Sequence, residues 1–229
     1  MSVLTLVHNA LIFICIGAFA GITAGALGIC GGLVVVPGLL FIFQSHFFIP
    51  PSASMHVAAG TSLAIMVLTS LSSIRAHLKR GHQFSPVFQK LWPGLLLGTM
   101  FGVLVSQKIS TYWLKLVFGI FLLVVAIKMY MDLHVKHASQ FPSKWMNGLV
   151  NFIIGVQSGL FGIGGGILTI PYLTYCGLDP RKTAAISNLC TLLVALVGSV
   201  MSIITGFSFM RDIIPISAEL GCWGYIPCI

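Results

Sequence analysis

Gly159 to Pro171 reads G-L-F-G-I-G-G-G-I-L-T-I-P, and an earlier stretch, Gly25 to Pro37, reads G-A-L-G-I-C-G-G-L-V-V-V-P. At an offset of 134 residues Gly28 meets Gly162, Gly31 and Gly32 meet Gly165 and Gly166, and Pro37 meets Pro171. Glycine costs a helix interior about 1 kcal/mol against alanine. In lipid, the backbone groups it loosens find no water, so such a break persists only where protein buries it or a wet cavity lines it. Two copies of one break therefore predict paired broken helices whose irregular backbone has a use.

The rest of the chain has the composition such breaks require. With 57% hydrophobic residues, 7% charged residues and a mean hydropathy of +1.03 over 229 residues, it carries more apolar surface than a soluble core can hide. Apolar segments fall at 4–28, 32–48, 56–74, 92–107, 111–131, 147–162, 165–177 and 183–205. Lengths near the ~20 residues of a membrane helix, without short alternating strands, predict an all-α polytopic membrane bundle rather than a barrel. The segments at 147–162 and 165–177 are short, and fit either two thin spans or one re-entrant hairpin. No Lys or Arg precedes the first apolar run, so a cleaved signal peptide is not expected.

Charge sets the orientation. The net charge of +8 comes from short loops between spans, which reports topology and not nucleic-acid binding. Placing the loop at 75–90 in the cytoplasm and alternating from there puts the basic loops at 128–144 and 178–182 on the same side. Only Lys108, Lys115 and Arg211 are left outside. Five segments then separate corresponding points of the two breaks. An odd number inverts the second copy, the inverted-repeat plan of many secondary transporters. The expected division is a first repeat at 1–131, a basic linker at 132–146 and a second repeat at 147–229. Pro93 meets Pro227 at the same offset, so the second repeat is expected to lack the last two helices of the first.

Each break is followed by a helix start rich in small and polar residues, Ala58-Ala59-Gly60-Thr61-Ser62-Leu63 in the first half and Ala184-Ala185-Ile186-Ser187-Asn188-Leu189 in the second. Exposed N–H groups at broken-helix ends hold anions without a fixed cation. The expected site is therefore an anion site built from Gly28, Gly31, Gly32, Gly162, Gly164, Gly165 and Gly166, its shell completed by Thr61, Ser62, Ser187 and Asn188. Glycines that only let helices cross closely are the bland reading, and the Gly94, Gly98, Gly102 spacing is read that way.

An enzyme is not expected. The four acidic residues lie in loops or the tail, no His-Glu-x-x-His or Gly-x-Ser-x-Gly pattern occurs, and the six cysteines, all in apolar sequence, form no Cys-x-x-Cys pair. No cofactor or metal is expected, and His56, at a helix start, reads as a packing residue.

On its paired G-x-x-G-I-G-G-G-x-x-x-x-P elements, the A-x-G-T-S-L run at Ala58 to Leu63 and the Asp-Pro-x-x-x-x-A-x-S-N run at Asp179 to Asn188, the chain resembles the sulfite exporter TauE/SafE family of membrane permeases. Cys30 departs from the pattern where the second copy has Gly164. The resemblance implies a permease or exporter for a small sulfur oxyanion or organosulfonate in the bacterial inner membrane. Its partners would be that anion and the bilayer, with a homo-oligomer left open. The reading from another class is a non-transporting membrane scaffold whose glycines serve packing alone.

Overall fold

A computed structural model describes residues 14, 15, 17–22, 32–46, 54–79, 87–130 and 144–213. Residues 14, 15 and 17–22 are helical and fall inside the first expected segment. Seven helices follow: α1 Gly32–His46, α2 Ser54–Lys79, α3 Val87–Lys108, α4 Thr111–Tyr130, α5 Lys144–Phe161, α6 Gly166–Tyr175 and α7 Pro180–Ile213. Among the described residues there is no strand. Ser54–Ala76, Val87–Lys108 and Lys182–Gly206 are long and apolar enough to cross a membrane.

Large apolar side chains stand exposed on the surface, as a bilayer allows. Leu97, Phe101 and Leu104 of α3, Ile120, Leu123 and Ile127 of α4 and Ile153 of α5 are all exposed. Exposed Trp92 and Trp145 sit near the starts of α3 and α5, and exposed Tyr112 and Trp113 begin α4. Eighteen residues of helix from Trp92 to the turn at Ser110 span ~27 Å, close to a bilayer's hydrocarbon thickness, so these rings fall where aromatic belts form.

Contacts fix the helix directions. A Cβ on Gly94 would meet Gly148 and Asn151, on Gly98 Phe152 and Gly155, and on Gly102 Val156. The pairs advance together, so α3 and α5 run parallel, backbone against backbone. The Gly94, Gly98, Gly102 spacing serves this contact. Ser73 with Asn188, Leu63 with Gly198 and Gly60 with Ser202 advance in opposite senses, so α2 and α7 are antiparallel. As α2 and α7 are the helices that follow the two Gly-rich stretches, they stand as inverted repeats require.

One end of the bundle therefore gathers the end of α2 and the starts of α3, α5 and α7, with exposed Arg75, Lys90 and Lys182. The far end is tied by His56, half-buried at the start of α2. Its Nε2–H donates to the Ser106 carbonyl at 2.8 Å, and the Thr111 hydroxyl lies 3.3 Å from its Nδ1. A carbonyl can only accept, which places the proton on Nε2 and leaves Nδ1 to accept from Thr111 in the neutral ring.

The choice between two thin spans and a hairpin is decided by α6. Its ten residues reach only ~15 Å, and it returns to the basic end, where Tyr172 Oη donates to Asn147 Oδ1 near the start of α5 at 2.5 Å. So α5 and α6 form a re-entrant hairpin with its tip at residues 162–165.

Candidate functional site

The tip exists because two glycines accept a backbone that other residues avoid. Gly162 has φ 67° and Gly164 φ 76°, left-handed values costing an L-residue about 1–2 kcal/mol. Space is as restrictive as torsion. A Cβ on Gly162 would lie 2.6 Å from Ala59 Cα, and one on Gly164 2.7 Å from Met66 Sδ and 3.0 Å from Thr191 Cγ2. Gly165 differs, with φ −67° and nothing closer than 3.5 Å to its added Cβ.

Those neighbours give the tip's height. Ile65 is the midpoint of the span Ser54–Ala76, and Val194 that of Lys182–Gly206. Gly162 and Gly164 abut Ala59 and Met66 on α2, while Gly164 and Gly165 abut Thr191 and Val194 on α7. Gly164 and Gly165 thus lie near mid-height of both long helices, and Gly162 ~9 Å nearer the far end, beside Ala59.

The first Gly-rich stretch reaches the same place. A Cβ on Gly32, the first residue of α1, would lie 2.6 Å from the Ile163 carbonyl oxygen and would overlap Met66 Cε. Helices α1 and α6 therefore begin beside each other at Gly32 and Gly166, carry Pro37 and Pro171 at matching positions, and have no acidic residue in the first turn. Gly165 caps α6 without a side-chain hydrogen bond. Partial positive charge at the two helix starts is thus not offset by an acidic side chain of either first turn. Gly28 and Gly31 lie outside the described residues.

The polar residues of the expected shell divide into two pairs. By the α2–α7 register Ser62 stands opposite Ser199, twelve residues along α7 from Ser187, or ~18 Å at 1.5 Å per residue. Ser62 lies between Ala59 and Met66, the α2 residues that Gly162 and Gly164 abut, and so at the level of the tip, with Ser187 and Asn188 toward the basic end. Their hydrogen bonding differs as well. Thr61 spends its O–H on the Val57 carbonyl at 2.8 Å, and Asn188 Nδ2 donates to Ser73 Oγ at 2.8 Å. Ser62 Oγ and Ser187 Oγ, 0% and 2% exposed as residues, have no partner. A buried hydroxyl left so costs about 1–3 kcal/mol.

Sequence reasoning passed over two features. Thr183 on α7 is also buried with an unpartnered hydroxyl; its i, i+4 spacing from Ser187 was the available signal. Asn147 and Asn151 were the other signal, two amides one turn apart in apolar sequence. Asn147 Nδ2 donates to the Lys90 carbonyl at 3.0 Å and Asn151 Nδ2 to the Asn147 carbonyl at 2.6 Å, which with Tyr172 closes the base of the hairpin onto α3. Between the hairpin legs is a cavity of about 350 Å³ lined by Val150, Ile153, Ile154, Leu168, Pro171, Tyr172 and Tyr175, too apolar for an ion. Among the described residues no three His, Cys, Asp or Glu converge to hold a metal.

A family model described as sulfite exporter TauE/SafE matches residues 13–221. A probable membrane transporter protein of Haemophilus influenzae is 28% identical over 86% of this chain and 75% of its own. One of Methanocaldococcus jannaschii is 35% identical over 77% of this chain and 66% of its own. The probable membrane transporter protein YunE of Bacillus subtilis is 29% identical over 85% and 78%. No solved structure matches.

Proposed function

Because this chain belongs to the sulfite exporter TauE/SafE family of membrane transporters, we propose that it is a permease, not an enzyme, for a small anion bound between the two Gly-rich breaks. The observation that carries this reading is the meeting of Gly32 with Ile163. It brings the starts of α1 and α6 together near mid-height, where backbone N–H groups favour negative charge without a fixed cation. Ser62, its hydroxyl unpartnered, is the side chain best prepared to donate to the anion from the α2 side of the tip. A neutral site of N–H and O–H donors suits a weakly basic oxyanion, and the family's printed description points to sulfite or a related sulfonate. The basic end, with Arg75, Lys90 and Lys182, faces the cytoplasm under this reading, and the membrane is the inner membrane. The halves divide at the 132–146 linker.

Flux of labelled sulfite, sulfate and methanesulfonate into proteoliposomes holding the folded chain tests the proposal. Saturable movement of one of these anions is expected. No flux of any of them would favour the scaffold reading.

A further inference from the structure

We propose that the chain carries a second anion-holding position, at Thr183 and Ser187 of α7, between the tip and the basic end. The inference rests on the anion reading above and extends it to a route. Thr183, Ser187 and Thr191 recur at i, i+4 and i+8, one face of a helix, and are 1%, 2% and 3% exposed. Thr191 ends this line against the tip, its Cγ2 3.0 Å from where a Cβ on Gly164 would be. Thr183 begins the line in the first turn of α7, ~12 Å away.

What singles out the two lower hydroxyls is how others in this chain behave. Thr61, Ser70, Thr99, Ser158 and Thr169 each donate to the carbonyl four residues back, the usual way a helix satisfies a hydroxyl away from water. Thr183 and Ser187 have the same local option and have no partner. Two unpartnered O–H donors one turn apart, ~6 Å, suit a tetrahedral oxyanion that offers an oxygen to each. They suit a cation less, because the exposed cationic Lys182 stands next to Thr183 in the chain. An anion leaving the tip toward the basic end would exchange helix-end N–H groups for these hydroxyls, and no step would leave it without donors.

The test is side-specific transport kinetics with methanesulfonate in oriented proteoliposomes. Ser187→Ala, alone and with Thr183→Val, is expected to raise KM roughly tenfold for anion added at the basic end, the loss of a hydrogen bond to a charged group. KM for anion added at the far end stays unchanged, and Ser187→Thr, which keeps the hydroxyl, restores the wild-type value. An unchanged KM at the basic end would overturn the proposal, as would an equal rise on both sides. If wild type moves no anion at all, the transport reading itself fails. Wild-type flux with insensitive variants removes the second position alone.

Discussion

Gly162 and Gly165 differ by three positions and by the demands placed on them. Gly162 combines φ 67° with Ala59 Cα 2.6 Å from any added Cβ, so Gly162→Ala is expected to cost about 2 kcal/mol or more and to abolish flux. Gly165→Ala, right-handed and with room, should leave the melting temperature in detergent within a few degrees of wild type. Equal melting temperatures for the two variants would contradict the geometry of the tip. The hydroxyls separate in the same way. Ser62→Ala should weaken apparent anion affinity by ~1–3 kcal/mol, whereas Thr61→Val, whose O–H already serves Val57, should leave it unchanged. The glycine cluster was legible in the sequence as a break. Which glycine bears positive φ, and which of two adjacent hydroxyls is unpartnered, was not, because both depend on residues a hundred positions away.

Between elements, the closest packing is that of α3 on α5, where the Phe152 carbonyl occupies the space a side chain on Gly98 would need. Gly98→Leu is therefore expected to destabilise the protein by more than ~3 kcal/mol and to lower the yield of folded protein, read by detergent gel filtration. The Gly94, Gly98, Gly102 spacing announced a close contact, but the partner's identity and parallel direction followed only from the fold. The hairpin was half legible for a similar reason. Two short apolar segments fit either arrangement, and the deciding facts are the ten-residue length of α6 and the Tyr172 to Asn147 bond at its base.

For the whole molecule, the basic loops foretold which helix ends lie together, since short cytoplasmic loops collect Lys and Arg, and the α2–α7 and α3–α5 contacts arrange the ends that way. Single cysteines on a cysteine-free background test the orientation. A membrane-impermeant thiol reagent applied to whole cells should label Ser110→Cys, in the exposed turn before α4, and spare Asp179→Cys, exposed before α7. Labelling of both from outside would overturn the assignment. The re-entrant hairpin also bears on biogenesis. Because α5 and α6 start and finish at the same end, they add nothing to the count of crossings, and the ribosome-bound chain need not pass a polar loop through the translocon between them. The orientation of α7 is thus inherited from α4. A deletion of residues 144–175 would remove the tip and still deliver α7 the right way round, whereas loss of α4 alone would turn it over.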